Sequence, residues 1–392
     1  MRILHTANTY APLLDGVAEV VRHLSEGLVR RGHEVHVATR AVASQPAEAI
    51  VNGVCVRRFS VSGNLAVGMK GEVREYQEFV RAGGWDLMVN HCLQTWPTDA
   101  LLEWVGSFPW ASLLVTHGLS TENQLFREYY RKMPLFIPRY SAWVSVSALN
   151  EESAYANQHG LNAPTVIRNG VDLQEWNDPL LNLRETWNLQ GHPWLISVSN
   201  HSHEKRHDWS FQLAERLKGT NAKLTIVGNS HMADKWQLGR LGIRGGCYYE
   251  CRMRAFTSRS VQLKTAIARR EVVSTIKEAD LLVSTSRREA NSVVLLESMA
   301  AGTPWVSTDV GSARENAGGI VVSSVDKMAE VVLELLRDPD RRKCLGREGR
   351  ARVGERHDWN RIVDSYEQLY EGAIGQPIHG TARGDVHVGY RI

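Results

Sequence analysis

This sequence lacks long apolar runs, a large excess of either charge and the pattern of a secretory leader. No apolar stretch of the 392 residues is long enough to span a bilayer. The 46 basic and 43 acidic residues leave a formal charge of +3, which is too small to indicate nucleic-acid binding by itself. The N-terminus, Met-Arg-Ile-Leu-His-Thr-Ala, turns polar too early for a signal peptide. We therefore expect a cytoplasmic protein that does not bind nucleic acid.

Cysteine is also scarce, with five residues scattered along the chain. An odd and scattered set indicates a reducing compartment without a disulfide framework. Cys247 and Cys251 lie four positions apart, but we identify no second pair of cysteine or histidine residues at zinc spacing. We therefore expect no metal site. A G-x-G-x-x-G motif is likewise absent after the first predicted strand, which argues against a nicotinamide dehydrogenase.

The composition that is present, 43% hydrophobic and 23% charged, is typical of a globular protein with room for two domains. Apolar runs at 2–7 and 34–39 predict strands on either side of a helical pattern that stops at Gly32. A second alternating set starts with the strand pattern at 194–199. The pattern predicts an α/β fold with two doubly wound domains, whose ligands bind at the carboxyl ends of the strands.

Two positions of the first half fall at such ends. Gly16 follows the first strand and would let the backbone approach a ligand closely, although a plain turn glycine has the same pattern. His117 follows the strand at 111–116 and could exchange a proton with a bound hydroxyl, or serve only as a hydrogen-bonding loop residue. Residues 125–140 mix basic and aromatic side chains, which fits either a weak membrane-surface contact or a half-buried connector.

The second half carries the strongest candidate stretch, Glu289-Ala-Asn-Ser-Val-Val-Leu-Leu-Glu297. It follows a buried strand pattern, so the amides near 290–293 should open a helix whose N-terminus attracts a diphosphate. Glu297 could then accept hydrogen bonds from sugar hydroxyls. Lys205 and Arg206, after the strand at 194–199, could also meet a diphosphate. An ordinary helix and a solvated loop remain the alternatives.

The domain boundary is expected near 175–190, where the composition shifts to Asn, Asp, Pro and Leu. We predict four segments, namely an N-terminal acceptor-side domain (1–178), a C-terminal donor-binding domain (179–355), a helix packing back toward the N-terminal domain (356–375) and a mobile tail (376–392). Asp358 is a candidate cap for that helix. Between Arg240 and Arg270, eight basic residues stand against one acid, which indicates an acceptor-facing or base-facing insertion or, as we prefer, a solvated basic loop.

Several motifs in this order resemble the retaining glycosyltransferases of family 4, which have the GT-B architecture. The motifs span the chain to about residue 372. They are Gly-Val-Ala-Glu-Val-Val (16–21), Arg-Gly-His-Glu-Val (31–35), Thr-His-Gly (116–118), Val-Ile-Arg-Asn-Gly-Val-Asp (166–172), Glu-Lys (204–205), Glu289-x7-Glu297, Met-Ala-Ala-Gly-Thr-Pro (299–304), Gly311 with Glu315, and His-Asp-Trp (357–359).

The resemblance implies two Rossmann-like doubly wound domains facing across a cleft, with a nucleotide-sugar donor on the second domain and the acceptor on the first. It implies that Lys205 grips the diphosphate, that Glu297 holds ribose, and that His117 and Glu289 are catalytic residues near the donor sugar. The donor-binding residues that we carry over are Gly16, Ser199, Asn200, Lys205, Arg206, Asn291, Ser292, Val293 and Glu297.

This sequence departs from the family pattern at four places. Ser199-Asn200 stands where the family has Gly-Arg, and Arg206 stands where it usually has glycine. Ala290-Asn291-Ser292 replaces Gly-Phe-Gly, and Asp15-Gly16 replaces a double glycine. Arg206 could compensate for the missing arginine, and the amides of 291–293 could still serve the phosphate.

The expected activity is transfer of a hexose-type sugar from a nucleotide-diphosphate sugar to an acceptor hydroxyl with retained anomeric configuration. No cofactor or metal is expected, and no covalent enzyme intermediate. The acceptor would be a saccharide, a lipid-linked group or a small molecule, in glycan, glycolipid or glycosylated-metabolite biosynthesis. The enzyme would be cytoplasmic, with weak peripheral contact at the inner membrane face through 125–140 as one option. A nucleotide-sugar 2-epimerase and a non-catalytic nucleotide-sugar-binding protein remain alternatives.

Overall fold

The computed structural model describes residues 1–13, 15–229 and 246–375, and the chain divides into two compact units. The first unit contains Met1–Ile167 and, of the described C-terminal residues, 362–375. The second unit is Arg168–Arg361. Among the described residues, none of the helices combines the length and the apolar character needed to span a bilayer.

The first unit is built on an eight-stranded sheet. The strands of the unit, of which all but β5 and β6 belong to this sheet, are β1 (Arg2–Thr6), β2 (Glu34–Arg40), β3 (Glu48–Val51), β4 (Val54–Phe59), β5 (Val61–Asn64), β6 (Gly68–Gly71), β7 (Leu87–His91), β8 (Ala111–Val115), β9 (Ala142–Ser145) and β10 (Thr165–Val166). The helices are α1 (Gly16–Arg30), α2 (Val73–Ala82), α3 (Trp96–Asp99), α4 (Arg127–Lys132) and α5 (Glu151–His159). The sheet order is β10-β9-β8-β7-β1-β2-β4-β3, parallel except for β3 with β4, while β5 and β6 pair separately.

Helix α1 lies between β1 and β2, as the sequence predicts, and its cap explains where it begins. The Asp15 carboxylate accepts hydrogen bonds from the backbone N–H groups of Val17 and Ala18, which lack partners within the helix. Val21, Leu24 and Leu28 recur on one face and are fully buried. Together the cap and the apolar face fix the chain segment that follows β1.

Residues 125–140 form short helical turns around α4, and most of their aromatic side chains are buried. Tyr129, Tyr130 and Met133 belong to a core cluster, and the Tyr129 hydroxyl donates to the Asp99 carboxylate over 2.6 Å. Their burial favours the half-buried connector over the membrane-surface patch, because the aromatic groups that such a patch would use face the core.

The second unit has a six-stranded, wholly parallel sheet in the order β13-β12-β11-β14-β15-β16. Its strands are β11 (Trp194–Val198), β12 (Lys223–Val227), β13 (Val261–Lys264), β14 (Leu281–Ser284), β15 (Trp305–Thr308) and β16 (Gly319–Val322). The helices are α6 (Leu183–Thr186), α7 (His207–Arg216), α8 (Gly246–Thr257), α9 (Arg269–Glu278), α10 (Val293–Ala301), α11 (Val325–Arg337) and α12 (Pro339–Arg356). A final helix, α13 (Trp359–Ile374), crosses into the first unit.

Alternate residues of β14 show how helices cover both faces of this sheet. Leu281 and Val283 pack into a cluster with residues of α7 and α11, whereas Leu282 packs into a second cluster with residues of α9 and α10. Successive side chains of a strand point to opposite faces, so a strand covered on both sides is apolar throughout. The second unit is therefore doubly wound, as the sequence predicts.

The division between the units falls between Ile167 and Arg168, upstream of the expected boundary near 175–190. Trp176 is buried in a cluster of the second unit, and Val171 forms a parallel bridge with Asp358 of the same unit. The residues after 167 therefore pack with the second unit even though their polar composition is typical of a linker.

The C-terminal helix contributes to the first unit through charged and aromatic contacts. Glu367 accepts hydrogen bonds from Arg31 over 2.6 Å and pairs with His33 at 2.7 Å. Tyr366 and Tyr370 are buried. Asp358 accepts a hydrogen bond from the Asn360 N–H, in agreement with its predicted capping role. The tail at 376–392, predicted to be mobile, lies outside the described residues.

The expected solvated loop at 239–270 is wrong for the residues that the structure describes. Residues 246–257 form α8, and Val261–Lys264 form the edge strand β13. Cys247 and Cys251 lie in a core cluster, because α8 turns one face toward the sheet while its arginines remain on the outside. Residues 239–245 of this stretch lie outside the described residues.

Candidate functional site

The carboxyl ends of β11 and β14 mark the point where the strand order of the second unit reverses. The chain leaves β11 toward β12 on one side and leaves β14 toward β15 on the other. Because the two connections diverge, they leave a crevice between them, which is the usual ligand site of open parallel sheets. Lys205 lies in the connection after β11, and Glu289 lies in the connection after β14.

Lys205 and Glu289 meet at this point. The Lys205 ammonium donates to Glu289 Oε1 over 2.6 Å, and the Ser286 hydroxyl donates to the same oxygen over 2.7 Å. The side chains of Lys205 and Glu289 are 26% and 16% exposed. The Thr285 hydroxyl donates to the Lys205 carbonyl, which fixes the backbone beneath the ammonium. A cation and a carboxylate are therefore positioned together, and water or a ligand can still reach them.

The loop from Glu289 to Ser292 leads into α10, and Gly311 packs tightly against it. Gly311 has φ +53°, and a Cβ atom there would lie 2.3 Å from the Glu289 carbonyl oxygen and 2.5 Å from that of Ala290. The Ser312 N–H donates to the Ala290 carbonyl. Ser292 stands at the N-cap of α10 without a capping side-chain hydrogen bond. The first N–H groups of a helix favour anions, so this end of α10 is suited to a phosphate.

Glu297 lies in the second turn of α10 and is largely buried. Its carboxylate forms an ion pair with Arg269 at 2.6 Å, and Arg269 also donates to Glu175 through two nitrogens. Arg269 was not among the predicted site residues, because nothing in its local sequence links it to Glu297. A sugar hydroxyl bound at Glu297 would have to share this carboxylate with Arg269.

The residues that depart from the family pattern already have partners in the structure. The Ser199 hydroxyl lies 3.0 Å from His207 Nε2, and Asn200 Oδ1 accepts from the Asn229 N–H. Arg206 has φ +48°, the left-handed conformation that glycine adopts most easily. Its guanidinium stacks on the Trp209 ring at 3.5 Å. Phosphate binding by Ser199, Asn200 and Arg206 thus stays a prediction.

In the first unit, the sheet reverses between β1 and β7, and Gly16 follows β1. Asp15, the residue before it, accepts from the Thr9 hydroxyl over 2.6 Å as well as capping α1. A Cβ atom placed on Gly16 would meet no atom of the described residues within 4 Å. The space beside Gly16 is therefore open to a ligand.

His117 lies at the end of β8 and belongs to a row of three histidines. His117 Nε2 lies 3.0 Å from His91 Nδ1, and the rings of His91 and His5 lie 5.2 Å apart. Burial lowers the pKa of His117 to about 4, although nearby Asp15 acts in the opposite direction. Burial also lowers the pKa of His5 to about 3. Both rings are therefore neutral at neutral pH, so His117 can donate or accept a hydrogen bond but is a weak base.

Glu152 is a residue of this region that the sequence analysis missed. It is fully buried in α5, and its Oε1 accepts from the Thr116 hydroxyl over 2.8 Å and from the Gly118 N–H over 3.0 Å. These two contacts hold the turn in which His117 adopts φ +50°. Burial raises the pKa of Glu152. Its sequence position in a helix gave no sign that it reaches the end of β8.

A second polar cluster of the second unit was also missed. His201, His207, Cys247 and Cys251 are all buried, and one ligand-type atom from each lies within 4.8 Å of the others. Our expectation of no metal site assumed that no second pair stood at zinc spacing. That premise is wrong, because five residues separate His201 from His207, and this H-x5-H spacing is found in zinc sites.

Two Rossmann-like units in one chain are the architecture of GT-B glycosyltransferases. The family model "Glycosyltransferase Family 4" matches residues 14–175, and the model "Glycosyl transferases group 1" matches residues 192–338. The chain therefore belongs to the family 4 glycosyltransferases, and the resemblance described for the sequence is confirmed.

Full-length relatives and solved structures agree with this assignment. The chain is 24% identical to a glycogen synthase of Mycobacterium tuberculosis over 419 aligned positions, which cover 95% of each chain. The structure is similar to sucrose-phosphate synthase of Thermosynechococcus elongatus, with a TM-score of 0.78, 20% identity and coverage of 95% and 98%. It is also similar to Anabaena HepE in complex with UDP-glucose, with a TM-score of 0.74, 17% identity and coverage of 95% and 100%. These two likenesses show the fold.

Proposed function

We propose that this protein transfers a hexose-type sugar from a nucleotide-diphosphate sugar to an acceptor hydroxyl, with retention of anomeric configuration. The observation that carries the proposal is the meeting of Lys205 and Glu289 where the second sheet reverses, beside the N-terminus of α10. A structural relative binds UDP-glucose, and sequence relatives include a glycogen synthase, which supports a sugar nucleotide as donor.

The leaving diphosphate is the group that this arrangement would stabilise. Negative charge grows on it as the glycosidic bond breaks, and donors that are already in place stabilise that charge best. Lys205 would supply a point charge, and the amides of Asn291, Ser292 and Val293 would supply the helix terminus. Because Lys205 has three N–H donors, it can contact a phosphate oxygen while keeping its bond to Glu289.

Glu289 and Glu297 would hold the sugar parts of the donor. Glu289 is oriented by Ser286 and Lys205, so its second oxygen can accept from a hexose hydroxyl. Glu297 would accept from ribose hydroxyls next to Arg269. No side-chain nucleophile is assigned, so we propose same-face transfer without a covalent enzyme intermediate, and no step requires a metal or cofactor.

The first unit would contribute to acceptor handling. His117 is neutral, because burial lowers its pKa, and it stands at a carboxyl strand end. A neutral imidazole can hold a hydroxyl hydrogen bond without adding charge near the reacting centre. The acceptor would be a saccharide, a lipid-linked group or a small molecule. The exposed Leu125 and Leu135 are the apolar residues through which a weak membrane contact at 125–140 would act.

The proposal is tested first by donor selection and then by turnover. A thermal-shift screen of UDP-, GDP- and ADP-sugars identifies the donor, because a ligand at 100 times its Kd stabilises by about 2.7 kcal/mol. Proton NMR then follows the donor with candidate saccharide acceptors and reports the anomeric configuration of the product. We expect K205A to lower kcat by about 10²–10³, as removal of one preorganised donor does elsewhere.

Lys327 provides the matched control, since it is an exposed lysine of the same unit that also pairs with a glutamate, Glu330. K327A should turn over donor at the wild-type rate. Epimerisation of the donor without acceptor would instead identify a 2-epimerase. Donor binding without transfer or epimerisation would identify a binding protein, and wild-type turnover by K205A would remove the site assignment.

A further inference from the structure

Four side chains of the second unit that have no part in the proposed transfer converge in its interior. His201 lies in the connection after β11, and His207 is the first residue of α7. Cys247 and Cys251 lie one turn apart on α8, so both face the same side of that helix. Each of the four is at most 8% exposed. Three separate elements thus bring two imidazoles and two thiols to one point.

The distances among these side chains suit a common ligand. The four ligand-type atoms lie within 4.8 Å of one another, and His207 Nδ1 lies 3.6 Å from Cys247 Sγ. Tetrahedral zinc holds its ligand atoms about 3.3–3.8 Å apart, given bonds of about 2.0 Å to nitrogen and about 2.3 Å to sulfur. Small side-chain rotations therefore bring the cluster to zinc geometry.

The hydrogen bonds around the cluster orient the histidines as ligands. His207 Nε2 lies 3.0 Å from the Ser199 hydroxyl, which can accept its hydrogen, and in that tautomer the lone pair of Nδ1 is available to the cluster. Metal-binding histidines are usually fixed in this way through their second nitrogen. Neither ring nitrogen of the buried His201 has a hydrogen-bond partner among the described residues. A buried polar group without a partner is costly, and a bound cation would satisfy it.

We propose that His201, His207, Cys247 and Cys251 form a structural zinc site. Two nitrogen and two sulfur ligands in tetrahedral reach are the set that favours zinc over harder divalent ions. Four protein ligands close the coordination sphere, so the site stabilises the fold and does not activate water. Among residues 1–13, 15–229 and 246–375, this is the one group of its kind.

The site connects α8 to the segment that carries Lys205. Lys205 lies between the two histidines in sequence, and its carbonyl accepts from Thr285. Zinc at His201 and His207 would pin both ends of this segment, and the cysteines would anchor it to α8. The metal is therefore expected to position Lys205 at the end of the sheet. This consequence rests on the proposed function, whereas the presence of zinc does not.

Metal content tests the site directly. The full-length protein is purified without a polyhistidine tag and without added metal, and zinc is measured by inductively coupled plasma mass spectrometry. We expect about one zinc per chain in the wild type and in C344S, which changes an exposed cysteine outside the cluster. The C247S/C251S double variant should lose the metal. Zinc well below one per chain in the wild type, even after equilibration with zinc chloride, would overturn the proposal.

Cobalt substitution avoids dependence on a variant that fails to fold. The wild-type protein is stripped with a chelator and titrated with Co²⁺ alone. Thiolate-to-cobalt charge transfer and intense visible bands of tetrahedral cobalt should appear with saturation at one ion per chain. A weak octahedral spectrum, or oxidation of Cys247 and Cys251 to a disulfide in thiol titration of the freshly purified protein, would refute the site.

Measurements of donor binding then test whether zinc positions Lys205. If zinc positions the segment, chelation should weaken nucleoside-diphosphate binding, and zinc should restore it. If the zinc content is confirmed but donor binding is unchanged by chelation, the site stands and its link to Lys205 is refuted. If no nucleotide binds either form, the proposed function fails while the metal measurement still decides the zinc site.

Discussion

Lys205 and Glu289 form an ion pair that remains accessible to a ligand. The pair is partly exposed, and exposed ion pairs contribute only about 0–1 kcal/mol to stability. A diphosphate carries more negative charge than one carboxylate, so it can compete for the ammonium or share it. The pair is therefore better understood as holding Lys205 in position until a donor binds than as a device for stability.

Glu152 is the residue through which the position of His117 can be tested. E152A removes the acceptor of the Gly118 N–H and one of two acceptors of the Thr116 hydroxyl, which keeps the Val144 carbonyl at 3.2 Å. The loss of a partner by a buried group costs about 1–3 kcal/mol. We expect a lower thermal midpoint and reduced kcat for E152A. E152Q keeps an oxygen acceptor and should recover much of both. Glu128, an exposed acid of α4, provides the control variant E128A. If E152A had the same thermal midpoint and kcat as E128A, the role of Glu152 in positioning His117 would be contradicted.

Single residues also show where sequence reasoning stops. The acidic pair Glu289 and Glu297 and the basic Lys205 could be located from their motifs, and the structure brings Lys205 and Glu289 into contact. The partner of Glu297, Arg269, could not, because the contact depends on how α9 packs against α10. Arg206 stands where glycine is usual, and its positive φ gives the physical reason for that preference.

At the scale of elements, the loop into α10 depends on close backbone packing by Gly311. G311A would place a methyl group against two carbonyl oxygens in a left-handed conformation, at a cost of about 1–3 kcal/mol. We expect a lower thermal midpoint and weaker donor binding, measured by differential scanning calorimetry and by titration. The matched control is G354A in α12, where a Cβ meets nothing within 4 Å and the helix should gain about 0.5–1 kcal/mol. Equal behaviour of the two variants would contradict this account.

The elements that the sequence predicts best are the central strands, whose apolar runs are buried on both faces. The elements that it misses include the edge strands β3, β5, β6, β13 and β16 and the helix α12. Edge strands are only partly buried, so they keep mixed polarity and no clear period. Helix α12 is rich in arginine and glycine and has few buried residues, so its sequence lacks the apolar stripe that would predict a helix. Helix α8 was mistaken for a loop for the same reason.

At the scale of the whole molecule, the two units differ in how ionisable groups are buried. The first unit holds a row of histidines, and the second holds the histidine–cysteine cluster. The histidine row could not be predicted from sequence alone, because it is assembled from residues of different strands and loops. The spacing of His201 and His207 was nevertheless visible, and it would have pointed to the cluster if it had been read together with Cys247 and Cys251.

The histidine row predicts a loss of stability in mild acid. Burial lowers the pKa of His5 to about 3 and that of His117 to about 4, whereas both are about 6.5 in an unfolded chain. As the pH falls below about 6.5, the unfolded chain takes up protons that the folded protein does not, so folding stability falls until the folded pKa is reached. Between the unfolded and folded pKa values, each such histidine lowers the free energy of unfolding by up to about 1.4 kcal/mol for each pH unit of acidification.

Thermal midpoints at a series of pH values between about 7.5 and 5 test this prediction. The wild-type midpoint should decrease steadily below about pH 6.5, and H5Q should show a shallower decrease, because it removes one of the titrating groups. His5 is fully buried and contacts Ser25, so H5Q is also expected to lower the midpoint at neutral pH. Parallel pH profiles for H5Q and the wild type would refute the prediction.

The central claim is that the end of the second sheet, at Lys205 and the start of α10, binds the diphosphate of a sugar nucleotide. Isothermal titration calorimetry of UDP, GDP and ADP against the wild type, K205A and K327A tests it most directly. At least one nucleotide should bind the wild type and K327A alike. Binding to K205A should be about 10–100-fold weaker, because a charge-assisted hydrogen bond contributes about 1.5–3 kcal/mol. Equal affinity for K205A and the wild type, or no binding to any of the three proteins, would contradict the account.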